Sequence, residues 1–228
     1  MALLPKLPGR REVRIDVWSA ALCSIGMVAL IVNALSTFGM MLILTYQLQS
    51  VMHYSALRTG LALIPFALAA AIGSALLAPG LMLKVAPRWL LGAGIAVEGA
   101  ALVPLIWLTS HSAYVPLIFL ATVLEGLSTG LAAPVALNTA LRDVLPSDTG
   151  AAGAGTSAAS QLGSSIGAAL LNTIAAGATA GYLAAHATAG MAAATVHGFT
   201  VAMIWGAGIL IASAIPIAAF INAKAPYR

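Results

Sequence analysis

The stretch FLATVLEGLSTGLAAP, Phe119–Pro134, is apolar or small at almost every position, yet Glu125 sits near its middle. A carboxylic acid in such a run lies either on the surface of a soluble helix or at depth in a membrane. The rest of the chain decides between these. Of its 228 residues 61% are hydrophobic and 7% charged, and the mean hydropathy is +1.01. Soluble domains carry about 25% charged residues. A soluble fold of this size has far more surface than so few charges can cover. Lipid is therefore the solvent for most of this chain.

The same composition excludes several functions. The net charge of +4 comes without a basic stripe interleaved with aromatics, so no nucleic-acid partner is expected. One cysteine, Cys23, lies in an apolar run. It excludes an internal disulfide framework and a multi-cysteine metal site, and it reads as a small packing residue. No HExxH, Walker phosphate loop or nucleophile elbow occurs. The serines of GTSAAS (155–160) have no histidine within any span to activate them. GAGIAVEG (92–99) misses the dinucleotide spacing, and its glycines read as helix-packing positions. Neither an enzyme nor a cofactor is expected.

A bilayer core takes about 20 apolar residues of helix. Six spans fit, at roughly 18–48, 57–81, 89–108, 114–137, 150–176 and 199–223. The first is long for one crossing, so it tilts or protrudes. The fifth owes its apolarity mostly to alanine. A basic segment, 1–17, precedes them and a short tail, 224–228, follows. The expected fold is all-α, a polytopic bundle of six transmembrane helices. Turn chemistry fills the breaks: HYSALRTG (53–60), KVAPR (84–88), TSHSAY (109–114) and LRDVLPSDTG (141–150), where Pro146 and Gly150 punctuate. Ser147 or Asp148 is a candidate cap for the fifth helix. The last break, AGYLAAHATAGMAAATVHG (180–198), is longer and polar only in patches.

Orientation follows from the basic residues. With six spans both termini share a side, which holds Lys6, Arg10, Arg11, Arg14, Lys84, Arg88, Arg142, Lys224 and Arg228. The opposite side holds Arg58. Nine against one predicts cytoplasmic termini on a multi-pass protein of the plasma membrane. His53, His111, His186 and His197 then fall in or beside outer loops and read as solvated loop residues. The basic start followed by an apolar run resembles a signal peptide, but the run is too long and no small-residue cleavage site closes it. It reads as a retained anchor.

The remaining chemistry is polar residues within spans. Two acids lie at mid-span, Glu98 and Glu125, and neither has a basic residue in its own span. A charge at the bilayer centre costs about 2.5–3.5 kcal/mol on insertion scales, so such residues face an interior or a watery cavity. An acid that is neutral when occluded and ionised when wet is what proton coupling needs. The blander role is a hydrogen bond to a neighbouring helix, and Glu98 reads that way first. Glu125 has Ser128 and Thr129 on its own face. Gly126 and Gly130 form a small-xxx-small pair that admits a close neighbour. The first span carries Asn33, Ser36 and Thr37 on one face, and the fifth carries Gln161, Ser164, Ser165 and Asn172, with Gly163 and Gly167 for tight packing. A cavity between the first and fourth spans would be polar at mid-depth and apolar elsewhere.

Three stretches carry a family resemblance: LTYQLQSVMHYSALRTGLALIP (44–65), APGLMLKVAPRWLL (78–91) and GLSTGLAAPVALNTALRDVLPSDTGAAGAGTSAASQLGSSIGAAL (126–170). From about residue 18 onward the chain resembles the C-terminal six-helix half of a major facilitator superfamily transporter, in the fourteen-helix drug:proton antiporter branch. The inner turn departs from the family pattern, keeping only Lys84 and Arg88 of its basic element, with Leu83 and Ala86 where Asp and Gly are usual.

The resemblance implies proton-coupled efflux of small lipophilic or cationic compounds by alternating access. It places the first and fourth helices on the central cavity and the third at the lipid-facing periphery. Glu125 is then the proton or cation site, and Asn33, Ser36, Thr37, Ser128, Thr129 and Gln161 are candidate cavity residues. Glu98 is tucked between helices. Transport needs two walls, so the implied partner is a second six- or eight-helix half or a second copy, besides the substrate, protons and the bilayer. The alternative is a non-transporting subunit or truncated remnant that acts through helix packing.

Overall fold

A chain rich in alanine and leucine favours helix, and in lipid every backbone group needs an internal partner. The computed structural model describes residues 17–109, 114–142, 144–188 and 190–220, and among these it is all-helical. The basic segment expected at 1–17, apart from Val17, lies outside the described residues, as do the tail 224–228, residues 221–223 of the sixth expected span, and His111.

Six helices are long and apolar enough to cross a membrane. The first is α1, Val17–Tyr46, continued by a π turn, Gln47–Val51. The second is assembled from α2, Ala56–Ala62, α3, Ile64–Ile72, a π turn, Gly73–Leu77, and α4, Ala78–Met82. Ser55 caps α2 by accepting from the Arg58 amide at 3.3 Å. Pro65 and Pro79 fall in the opening turns of α3 and α4, where a missing N–H costs nothing. The third is α5, Pro87–Leu102, finished by a 3-10 turn, Val103–Trp107. Then come α6, Leu117–Leu141, α7, Thr149–Ala185, and α8, Met191–Phe220. Tyr114 Oη donates to the Ala62 carbonyl at 2.5 Å and ties the approach to α6 onto the second span.

The last break differs from expectation. The fifth helix was expected to stop at 176 and the sixth to start at 199; instead α7 reaches Ala185 and α8 begins at Met191. Hydropathy marks only the apolar core of a helix. Alanine is the best helix former and no proline interrupts 177–198, so both helices run on past that core. Asp148 takes the N-cap position of α7, where its side chain does not accept the cap hydrogen bond. Ser147 Oγ donates to Asp148 Oδ1 at 3.3 Å instead.

Glycine sets the helix pairing. Gly163 and Gly167 of α7 lie against the backbone of Ile31 and Leu35 in α1, with no room for a methyl group. Gly126 and Gly130 of α6 meet Phe66 and Ala70 of α3 in the same way. Close approach of this kind joins helices where lipid offers no hydrophobic drive. α5 packs against α6 and α8, and the interior is filled by Met40, Leu44, Leu91, Ile95, Leu102 and Met203.

Candidate functional site

Glu125 lies a little over two turns into α6, on the face that meets α1. Its side chain has no solvent exposure. Ser36 Oγ donates to its Oε1 at 3.0 Å, and Thr37 Oγ1 approaches the same oxygen at 3.3 Å. Thr37 Oγ1 also shares a hydrogen bond with Thr129 Oγ1 at 3.0 Å. Glu125 and Thr129 project from one side of α6, as i, i+4 spacing dictates, and Ser36 and Thr37 of α1 both reach that side.

One turn back along α1, Asn33 turns to a different acid. Its amide donates to Glu98 Oε1 of α5, and both side chains are buried. Residues 33, 36 and 37 share a helical face, but Glu98 and Glu125 divide them. The two carboxyls are close enough to interact electrostatically, and Thr129 lies beside Glu98 as well. Each carboxyl leaves its Oε2 without a hydrogen-bond partner among the described residues. The recorded partners of both are hydroxyls and an amide, none of them cationic.

Other expected residues sit elsewhere. Ser128 Oγ returns to the backbone of its own helix, at 2.9 Å to the Leu124 carbonyl and 3.1 Å to the Glu125 carbonyl. Gln161 is exposed on α7. Lys84 is exposed in the turn before α5, while Arg88 lies in the first turn of α5 with its guanidinium 5.3 Å from the Trp89 ring centre. The third span is not peripheral within this chain: it is the most enclosed of the six.

A cleft of about 580 Å³ opens beside the network. Leu30 of α1, Ala70, Ala71 and Ser74 of the second span, Thr129, Gly130 and Pro134 of α6, and Thr156, Ser157 and Ser160 of α7 line it. Thr129 therefore borders the cleft and Glu98 at once, and Thr37 connects it to Glu125. A second cleft, of about 450 Å³, lies between Tyr46 and Ser50 on one side and Asn172, Thr179, Thr195 and Phe199 on the other. Sequence reasoning missed the second span's share of the first cleft and the pairing of Asn33 with Glu98. Ser74 beside Gly73, in an otherwise apolar run, was the available signal for the former. Among the described residues no cluster of three or more metal-ligating side chains occurs.

Comparison with known proteins gives this geometry a context. No family model matches the chain. Over 182 residues, 78% of its length, it is 38% identical to the puromycin resistance protein pur8 of Streptomyces alboniger. Over 156 residues, 68% of its length, it is 31% identical to the cephamycin export protein CmcT of Amycolatopsis lactamdurans. It is a membrane protein similar to antibiotic resistance and export proteins. The matches cover 36% and 32% of those relatives, so the chain spans about a third of the length of the proteins it resembles. Both relatives are named for resistance or export, and neither for catalysis.

Proposed function

We propose that the chain forms one wall of a major facilitator superfamily drug-efflux transporter, in the C-terminal half of the fourteen-helix branch. It exports small lipophilic or cationic compounds across the plasma membrane in exchange for protons, with both termini cytoplasmic. Glu125 is the proton or cation group, and the cleft beside it receives substrate. One observation carries this reading: a fully buried carboxyl, held by Ser36 and Thr37, is linked through the hydroxyls of Thr37 and Thr129 to an open cleft. A buried acid in a membrane bundle marks a pathway by default, and the similarity to resistance and export proteins agrees in kind.

A second wall completes the cavity. The second and fifth spans are the least buried, and α7 exposes Ser157, Gln161, Ser165 and Asn172. Such polar positions suit another helical half better than lipid tails. The chain is therefore co-expressed with the part of the puromycin resistance protein left outside the match, in a drug-sensitive bacterium, and puromycin efflux is followed across pH. Efflux by the pair, with its pH dependence lost in Glu125→Gln, is the expected result. An unchanged pH dependence in Glu125→Gln defeats the assignment. The competing reading, a non-transporting subunit or remnant, predicts no efflux in any pairing. The chain's size in detergent, alone and with the second half, tells a homodimer from a two-part assembly.

A further inference from the structure

The sequence casts Glu98 as a packing residue, yet the structure gives it the same surroundings as Glu125. Both side chains are wholly buried, both use Oε1 for a neutral donor from α1, and both leave Oε2 without a partner among the described residues. We infer that Glu98 is the second member of the proton site: the two carboxyls bind protons as a coupled pair, so that ionisation of either opposes ionisation of the other. This rests on the reading of Glu125 as the proton-binding group.

The surroundings carry the argument. A buried carboxylate with both oxygens donated to, or with a cation beside it, has no need of a proton. Here Asn33, Ser36 and Thr37 of α1, with Thr129 beside Glu98, are neutral groups that serve two acids, and the three from α1 all reach Oε1 atoms. The orphaned Oε2 atoms are where an acid hydrogen belongs. Among the described residues no cation is recorded against the pair from the helices around it. In the second span Arg58 lies at one end, and Lys84 follows the other. Arg88 is ten residues before Glu98 in α5, roughly 15 Å along the axis at 1.5 Å per residue. Arg142 follows the last turn of α6. α7 and α8 contribute Tyr182, His186 and His197, stacked together at their shared end. From α1 the recorded contacts with the pair come from Asn33, Ser36 and Thr37. Two like charges this near, without a counter-ion and away from water, repel strongly. Acids in that position give up their protons in steps that belong to the pair.

The site is also connected. Thr129 lies beside Glu98, bonds Thr37, and lines the cleft. Thr37 in turn reaches Glu125. A proton arriving from water in the cleft thus meets Thr129, which adjoins Glu98 directly and Glu125 through Thr37. Its arrival turns a carboxylate into a carboxylic acid and lowers the negative charge of the pair by one; its departure restores it.

The chain contains three glutamates, Glu12, Glu98 and Glu125, so carboxyl carbon-13 labelling of glutamate is nearly site-specific. The labelled chain is placed in lipid bilayers and its carboxyl resonances are followed across pH by solid-state NMR. In the wild type, the Glu98 and Glu125 signals should both move in two shared steps, separated by about one pH unit or more. In Glu98→Gln the Glu125 signal should move in one step, at a pH lower than the upper wild-type step by about one unit or more. Glu125→Gln should shift Glu98 by the same amount, because coupling is reciprocal. Two independent single steps in the wild type overturn the pair, and that measurement stands even if a variant does not fold. So does a Glu125 step unmoved by Glu98→Gln, the result for a Glu98 that only packs, although Glu125 then remains a proton site. Should neither carboxyl titrate between about pH 4 and 10, the pair and the proton site both fall.

Discussion

The third span and the fifth are both helices rich in glycine and alanine, but they meet opposite surroundings. Over its most apolar stretch the third has 56% of its residues buried, the fifth 17%. The third carries an acid and encloses it; the fifth leaves Ser157, Gln161, Ser165 and Asn172 open and buries Ser164. The difference teaches how a membrane chain sorts its polar groups. A hydroxyl can satisfy itself on its own helix. Ser165 returns to the Gln161 carbonyl and Ser164 to the Ser160 carbonyl, each at 2.8 Å. A carboxylate, which only accepts, cannot do this, so it needs donors from a neighbouring helix, which Asn33 supplies to Glu98.

The sharpest test of that contrast lies within the fifth helix. Gly167→Val drives a side chain into the Leu35 backbone, which cannot yield, and should cost about 3 kcal/mol in a detergent unfolding titration followed by circular dichroism. Gly177→Ala meets open space and should gain up to about 1 kcal/mol in the same titration. Equal effects at the two positions would erase the distinction between the packed and open faces of α7. Next in size is Asn33→Ala. It strips Glu98 Oε1 of its donor and should destabilise by about 1–3 kcal/mol, provided the enclosed side depends on cross-helix donors. Smallest is Ser165→Ala on the open side, where the lost bond is local. Its effect should stay within about 0.5 kcal/mol, and a larger loss would mean that this face is covered in the isolated chain.

The six crossings were legible because hydropathy integrates over about 20 residues and tolerates local error. The ends of α7 and α8 were not, since alanine contributes modest hydropathy but strong helix propensity. The breaks inside the second span were half-visible: Pro65 and Pro79 announce new first turns, while the π turn at Gly73–Leu77 has no compositional mark. At the candidate site, spacing placed 33, 36 and 37 on one face and 125, 128 and 129 on another. Which acid each would meet depends on helix rotation and on the depth at which α5 crosses α1, and neither is written in a local pattern. Ser128 shows the same limit: it follows Glu125 by three residues, but its hydroxyl turns back to α6. Gln161 misses the cleft by one residue, and Ser160 lines it instead.

The two glycine pairs have a mechanical consequence. Gly163 and Gly167 join the first span to the fifth, and Gly126 and Gly130 join the second to the fourth, backbone against backbone. Contacts of that kind contain little side chain to rearrange, so each couple behaves as one stiff plank. The first cleft is lined by residues from all four spans and runs along the seam between the planks. Across that seam Ser36 and Thr37 reach Glu125, and Thr37 reaches Thr129. Sliding one plank along the other changes the width of the cleft and the length of those three bonds in a single stroke.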